Sequence, residues 1–290
     1  VDGHSFPNLP LMKLSAWHKQ QDDKVEWASP LFGQYDTLYM SKVFTFTPDF
    51  TTHVRAREII KGGTGYDQHT NLWADAETIY PDYGLYNITD TAYGFLTRGC
   101  PRRCPFCIVS TKEGFVSSKV ADLDQFWRGQ AQIKLLDPNL LACSHRGELL
   151  GQLAESGAWV DFTQGLDIRL MTRAVIDLIR RIKIKLLHFA RDRSCDETKI
   201  IENLTTFKAA TNYDYRKLKV YVLTNFDTDF EYDLYRVYKL RELGYDPYVM
   251  IYDKHKLPKR HELRRLQRWV NNRLIFRQCP KFGDYGRSGA

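Results

Sequence analysis

The most chemically informative residues of this chain are three cysteines, Cys100, Cys104 and Cys107, in the run Gly-Cys-Pro-Arg-Arg-Cys-Pro-Phe-Cys at 99–107. Three thiolates on one short loop match three irons of a cubane iron–sulfur cluster and leave its fourth iron open to a substrate or cofactor. Pro101 and Pro105 fix φ and remove backbone donors, which predicts a stiff irregular loop. The spacing therefore predicts a [4Fe–4S] cluster with one open iron.

A structural zinc site is the alternative for the same thiols. Zinc in such sites usually takes four protein ligands, so a histidine would have to complete the set. The histidines considered for that role are His4, His18, His53, His69, His145 and His188. Zinc triads more often come as paired Cys-x-x-Cys knuckles, so the spacing favours iron–sulfur.

The composition is that of a globular protein with one or two α/β domains. The chain has 290 residues, 43% of them hydrophobic and 27% charged, and a net charge of +7. It has no apolar run of about 18 residues and no charged-then-apolar leader, so we expect a cytoplasmic protein without a membrane segment. Clustered cysteines in a chain of this size indicate metal binding and not a disulfide framework.

The elements that must position the cysteine loop form a repeating strand–helix series. The predicted strands are 92–96, 132–136, 160–163, 186–190, 219–223 and 248–251, and the predicted helices lie near 122–129, 146–156, 172–181, 196–209 and 229–243. This alternation predicts a parallel sheet with helices outside, curled into a partial (β/α)6 TIM-like barrel over residues 91–253. The cysteine loop directly follows the first strand, at the sheet edge where ligand sites gather.

Residues 1–90 predict a small doubly wound α/β domain with a connector. Pro7 and Asn8 precede a helix, a strand covers 37–45, a helical patch covers 54–60, and a glycine-rich turn follows at 61–65. The chain begins at Val1, which is compatible with a truncated domain that lacks its first strand.

The loop, its position after the first strand and the aromatic Phe106 together resemble the radical S-adenosylmethionine (SAM) superfamily. The phrase Thr97-Arg98-Gly99-Cys100-Pro101, with the smaller α/β region in front, is closest in pattern to the branch of cobalamin-binding radical enzymes and to methylthiotransferases. The resemblance implies reductive cleavage of SAM at the open iron and hydrogen abstraction from a substrate. It also implies an external electron donor of the flavodoxin or ferredoxin type.

The resemblance also assigns site residues. Cys100, Cys104 and Cys107 match the cluster ligands, and Phe106 matches a position near the adenine of SAM. Further residues at later strand ends fall at candidate cofactor-binding positions, namely Asp137, Asn139, Gln164, Asp167, Arg169, Arg191 and Asp192. Among them, Asp137 and Asn139 match the region that binds the methionine amino group, although the usual glycine pair is absent, and Arg169 matches an arginine that contacts the methionine carboxylate. The charged members could instead form a salt-bridge network at the rim.

No sequence motif identifies the residues that would act on the substrate. Cys143, Cys195 and Asp192 are the candidates near the radical, and a packed cysteine is the simpler interpretation of the first two. A cobalamin motif is poorly matched, because Asp2-Gly3-His4-Ser5-Phe6-Pro7 lacks the glycine of Asp-x-His-x-x-Gly, so cobalamin is a minor expectation.

Residues 254–290 predict a basic C-terminal helix and tail. The stretch 254–277 carries nine lysines and arginines against Glu262. One interpretation is that this segment binds nucleic acid through phosphate contacts and base stacking. The residues suited to those contacts are Arg265, Arg268 and Trp269, with Tyr245, Tyr248 and Tyr252 upstream. The other interpretation is a helix that covers the barrel and exposes its charged face to solvent.

The leading hypothesis for function is a radical SAM enzyme that methylates or otherwise modifies a nucleic acid or peptide. The alternative is a non-catalytic nucleic-acid-binding protein stabilised by zinc or iron–sulfur.

Overall fold

The structure is a computed structural model that describes residues 6–192 and 194–285. Asp2 to Ser5 of the poorly matched cobalamin motif lie outside the described residues. The helices are α1 (Leu9–Gln20), α2 (Ala74–Thr78), α3 (Val109–Glu113), α4 (Arg146–Ser156), α5 (Arg173–Ile179), α6 (Glu197–Thr211), α7 (Phe230–Glu242), α8 (Glu262–Asn271) and α9 (Arg273–Gln278). The strands are β1 (Gln34–Ser41), β2 (Arg55–Gly62), β3 (Thr91–Gly94), β4 (Thr97–Arg98), β5 (Ser118–Lys119), β6 (Gln132–Leu135), β7 (Trp159–Phe162), β8 (Lys183–Ala190), β9 (Leu218–Thr224) and β10 (Asp246–Ile251).

The centre of the molecule is a six-stranded parallel sheet in the order β10-β9-β8-β7-β6-β3. All six strands predicted between residues 92 and 252 are present, and strands that are consecutive in this series are neighbours in space. The sheet is open, with β3 and β10 as its edges. The α/β class with a parallel sheet is therefore confirmed.

The two faces of this sheet differ because side chains alternate along each strand. One face is apolar and packs under α4, α5 and α6 in a single core, for example through Ile133, Phe162 and Phe189. Intervening positions carry Lys134 and Tyr221, which are only partly buried. The core therefore lies on the helix side of the sheet.

Both edges of the sheet are covered by side chains that bond to the edge backbone. At β3 the Tyr83 hydroxyl accepts from the Tyr93 N–H at 2.9 Å and donates to the Phe126 carbonyl at 2.7 Å. At β10 the Asn271 amide accepts from the Val249 N–H at 2.8 Å and donates to its carbonyl at 3.0 Å. These bonds satisfy backbone groups that an open edge would expose.

The N-terminal region departs from the doubly wound prediction. Asn8 caps α1 by accepting from the Leu11 N–H, as Pro7-Asn8 predicted. The helix predicted over 54–60 is wrong, because this segment is β2 and pairs in parallel with β1. The described residues form only a two-stranded sheet here, and Met12 of α1 packs into the core of the main sheet. The connector contains α2 and a short turn at Tyr83–Tyr86.

Two predicted helices also differ. The segment 122–129 is a single 3-10 turn at Leu123–Gln125, because the Gln152 side chain accepts from the Leu123 N–H and donates to Asp122, holding the backbone in a turn. The predicted terminal helix is interrupted at Asn272, whose side chain accepts from the N–H groups of Leu274 and Ile275 and starts α9.

The basic C-terminal segment packs against the sheet through its aromatic residues. Trp269 is fully buried, and its indole N–H donates to the Cys279 carbonyl at 2.9 Å. Tyr245 is also buried in the main core. The expectation that these two rings stack on nucleic-acid bases is therefore wrong, because neither is accessible. Arg264 and Arg265 direct guanidinium groups to backbone carbonyls of the same region.

Within residues 6–192 and 194–285, no helix has the length and apolar character needed to cross a membrane.

We predict that Tyr83→Phe lowers the free energy of unfolding by about 1–3 kcal/mol, because it leaves a buried donor and a buried acceptor unpaired. Urea denaturation followed by circular dichroism measures the change. Tyr215→Phe is the matched control, since the Tyr215 hydroxyl makes no hydrogen bond within the described part of the chain and its ring contacts Arg277. Equal stability of the two variants would contradict the role of Tyr83 at the edge.

Candidate functional site

The cysteine loop is closed at its base by a small antiparallel ladder. Thr97 and Arg98 of β4 pair with Lys119 and Ser118 of β5, so residues 99–117 form one excursion at the end of β3. Gly99 follows the ladder with φ of 87°, and a Cβ there would lie 2.1 Å from the Val116 carbonyl oxygen. Only glycine fits at this position.

The three thiols of the loop are partly exposed and free of disulfides. The Cys107 N–H donates to the Cys104 carbonyl at 3.0 Å, and α3 begins two residues later. Burial raises the pKa of Cys107, and the nearby Cys100 and Asp192 add to the increase. Among the described residues, no three His, Cys, Asp or Glu side chains are already gathered at metal-binding distances. The loop therefore supplies a donor set suited to an iron–sulfur cluster but not a preformed cage.

Asp137, after β6, holds the base of the loop. Its buried carboxylate accepts from the Thr97 N–H at 2.6 Å, the Thr97 hydroxyl at 2.7 Å and the Leu96 N–H at 3.2 Å. Burial raises the pKa of Asp137 to about 6, although these hydrogen bonds favour the ionised form. The structure thus uses this predicted cofactor-binding residue as an anchor for the backbone that enters the loop.

Asn139 lies directly beside the cysteine loop. Its side-chain amide donates to the Cys100 sulfur at 3.4 Å and to Asp167 at 3.4 Å. Its Oδ1 is buried and has no hydrogen-bond partner. Because buried polar atoms are nearly always paired in native proteins, this oxygen is an acceptor available to a ligand that carries N–H groups.

A chain of charged groups crosses from the cysteine loop to the end of β7. Arg102 Nε lies 2.6 Å from Asp167, Asp167 lies 2.7 Å from Arg169 Nε, and Arg169 Nη1 lies 2.5 Å from Asp196. Burial opposes ionisation of Asp167, but the two arginines outweigh it and hold its pKa below its usual value. Asp167 and Arg169 were predicted from sequence. Arg102 and Asp196 were not predicted, because their partners are distant along the chain.

Arg191 and Asp192, the two residues that follow β8, have different surroundings. Asp192 accepts from the Leu223 N–H at 3.0 Å, and burial raises its pKa to about 6. Arg191 is 1% exposed and donates to Glu197 at 2.5 Å and to the Arg236 carbonyl at 3.1 Å. Asp192 is close enough to Cys107 to raise the pKa of that thiol, whereas Arg191 lies in a separate buried network.

An aromatic row extends the loop towards β9 and β10. The rings of Phe106 and Phe226 meet edge to face at 5.4 Å, and those of Phe226 and Tyr252 at 5.0 Å. This contact brings the end of the cysteine loop to the segment after β9. Gln164, after β7, is exposed to solvent.

The isolated cysteines occupy different environments. Cys143 is fully buried in the main apolar core, where it packs as a small hydrophobic residue. Cys195 is exposed in the short turn at Ser194–Asp196. Cys279 is half-buried and its thiol donates to the Lys281 carbonyl at 3.2 Å.

The chain shows only distant similarity to known proteins. No protein-family model matches the chain, and no curated protein matches it. Among solved structures, Streptococcus suis SuiB bound to its precursor peptide SuiA is similar with 13% identity over 65% of this chain and 46% of that chain, at a TM-score of 0.45. SuiB bound to S-adenosylmethionine is similar with 14% identity over 65% and 44% of the two chains, at a TM-score of 0.42. The chain thus spans less than half the length of these proteins.

We predict that Asp192→Asn flattens the pH dependence of unfolding between about pH 4 and pH 6. The folded-state pKa of Asp192, about 6, is above the unfolded value, so the folded state binds the proton more tightly and wild-type stability falls as pH rises through this window. The asparagine keeps the acceptor for Leu223 and removes the buried charge. Urea titrations at several pH values measure the slope, with the exposed Asp124→Asn as control. An unchanged slope in Asp192→Asn would contradict the assignment.

Proposed function

We propose that the protein is a radical SAM enzyme that binds a [4Fe–4S] cluster through Cys100, Cys104 and Cys107. The observation that carries the proposal is the orphaned Oδ1 of Asn139 beside Cys100, at the carboxyl ends of a parallel sheet. A thiolate triad for iron and a buried acceptor for an amino group are thereby neighbours. This is the pairing that a SAM molecule seated on an open iron requires.

The residues around the loop support distinct roles towards SAM. The Oδ1 of Asn139 would accept from the methionine amino group, while Asp137 holds the loop from behind. Arg169 would offer its guanidinium fork to the methionine carboxylate in exchange for part of its contact with Asp196. Phe106, with Phe226 against it, would flank the adenine, and Asp192 would accept from the ribose hydroxyls.

The remaining members of the predicted set have supporting positions in the proposal. Asp167 would align Arg169 and Arg102, and Arg236 would fix the backbone before Asp192 through its bond to the Arg191 carbonyl. Gln164 is an exposed residue at the mouth. When bound, the cluster supplies one electron for cleavage of SAM to methionine and a 5′-deoxyadenosyl radical, and the protein residues orient SAM and exclude water.

The sequential order of the six parallel strands supports a partial (β/α)6 barrel over residues 91–253. Residues 1–90 and the C-terminal segment 254–290 would be accessory regions, whose described parts, 6–90 and 254–285, pack against it. An external flavodoxin- or ferredoxin-like protein would provide the electron. The substrate would be a nucleic acid or a peptide, and cobalamin would remain a minor expectation.

We expect anaerobic reconstitution with iron and sulfide to give a brown protein with about four irons per chain. With SAM and a reductant it should release 5′-deoxyadenosine, measured by liquid chromatography and mass spectrometry. Cys104→Ala should lose both the chromophore and the product while keeping its circular dichroism spectrum. Cys279→Ala is the matched control and should keep all three.

Two results would reject the proposal. One is a colourless protein that binds zinc and releases no 5′-deoxyadenosine, which fits the metal-stabilised binding protein. The other is unchanged 5′-deoxyadenosine release by Cys104→Ala.

A further inference from the structure

The face of the main sheet that turns away from the helices carries polar and aromatic side chains in the middle of otherwise apolar strands. Asp161 lies between the core residues Val160 and Phe162, and His188 lies between Leu187 and Phe189. Since neighbours in a strand point to opposite faces, Asp161 and His188 share the face without helices. These residues of the polar face lie on β7 and β8, the two strands that Asp167 and Asp192 follow.

Asp161 is a buried residue, and one oxygen of its carboxylate has no hydrogen-bond partner in the described part of the chain. The residue is 7% exposed, and its Oδ1 is buried and unpaired. The nearest charged atoms are His188 Nδ1, 3.7 Å from Oδ1, and Lys134 Nζ, 4.0 Å from Oδ2, both beyond normal hydrogen-bond length. Burial raises the pKa of Asp161, and Lys134 and the Thr163 side chain oppose this shift. An unsatisfied buried carboxylate oxygen is costly, so the retention of Oδ1 at this position points to a ligand with N–H donors.

His188 adds a second acceptor beside Asp161. Its Nδ1 lies 3.0 Å from the Phe162 carbonyl oxygen, which can only accept, so Nδ1 carries the proton. Burial, reinforced by Lys219, lowers the pKa of His188 to about 4, so the ring is neutral near pH 7. The Nε2 atom therefore presents a lone pair.

Aromatic rings form a platform next to these acceptors. The His188 ring stacks on Tyr221 at 5.0 Å with an interplanar angle of 12°, and Tyr248 meets Tyr221 edge to face at 5.8 Å. The Tyr221 hydroxyl donates to the Thr163 carbonyl at 2.9 Å, which fixes the ring. Tyr248 is 37% exposed, so the platform opens to solvent. Flat rings of this kind suit a planar ligand.

The surrounding charges exclude a cationic ligand. Lys134, Lys185 and Lys219 all act on Asp161, so the single carboxylate is outnumbered by three amines. Arg273 also faces this region and is paired with Asp246 at 3.1 Å. The positive potential of these lysines favours a ligand that carries an anionic group. The part of the ligand that contacts Asp161 would be neutral and planar.

We propose that the polar face binds the guanine base of a nucleotide, with its N1–H and 2-amino groups donating to Asp161. The proposal rests on the proposed function and names its substrate class, a guanine nucleotide, free or within a nucleic acid. Guanine offers two adjacent donors to one carboxylate, whereas adenine offers a donor next to an acceptor and hypoxanthine lacks the 2-amino group. The base would continue the stack of Tyr221 and His188 above Asp161, and its phosphate would approach the lysines.

The test is calorimetric titration of the reconstituted protein with GMP, IMP, AMP and N-acetylarginine amide. We expect GMP to bind at least about tenfold more tightly than IMP or AMP, because a lost hydrogen bond to a charged group is worth at least that factor. N-acetylarginine amide, a planar cation with the same donor pair, should not bind measurably.

Asp161→Asn separates a ligand contact from a structural role. We expect it to weaken GMP binding about tenfold or more and to abolish the preference over IMP. Its melting temperature should not fall, since asparagine keeps an acceptor oxygen near Thr163 and removes a buried charge whose Oδ1 has no protein partner. The exposed Asp124→Asn is the control and should bind GMP like the wild type.

The inference is overturned if GMP and IMP bind alike, if the arginine derivative binds better, or if Asp161→Asn leaves GMP affinity unchanged. Iron content and 5′-deoxyadenosine release are measured on the same samples. A protein that cleaves SAM but does not prefer GMP would refute this inference alone. One that prefers GMP but holds no cluster would refute the proposed function alone.

Discussion

The hydrogen bonds that Asp137 accepts from Leu96 and Thr97 are the constraint on which the rest of the site depends. They tie the end of β6 to the backbone that leaves β3, so the cysteine loop starts from a fixed point. A carboxylate buried this deeply is tolerated because three donors converge on it. Cys100 follows three residues after Thr97, and its sulfur meets Asn139 as a direct result. Displacement of Asp137 would therefore move the loop and the acceptor together.

The sequence predicted the six strands of the main sheet well for a physical reason. Each one alternates or runs apolar over four to eight residues and is flanked by turn residues, and burial under helices enforces that pattern. The helix predicted over 54–60 is wrong because charged and apolar residues of this segment alternate in small groups, a pattern that fits a helix or a strand. Pairing with β1 decided its conformation, and no local signal announces a partner strand.

The sequence predicted only some of the site residues. The others were missed because their partners are distant along the chain or because the alternation of side chains was not applied. Asn139, Asp167, Arg169 and Asp192 follow strand ends, where parallel topology brings residues to one edge. Arg102 pairs with Asp167 across a separation that sequence spacing does not encode. The alternation of side chains along an extended segment could have shown that Arg191 and Asp192 point to opposite sides, so that only one of them faces the site. The same rule could have singled out Asp161 and His188 as polar residues inside apolar strands.

The side chains of Tyr83 and Asn271 affect whether another β-strand can pair with the edges of the main sheet. Tyr83 occupies the Tyr93 N–H of one edge strand, and Asn271 occupies the Val249 N–H of the other. A further strand, from a second copy of the chain or from an extended peptide, would have to displace these side chains before it could pair there. Both edges are therefore protected against aggregation through strand addition.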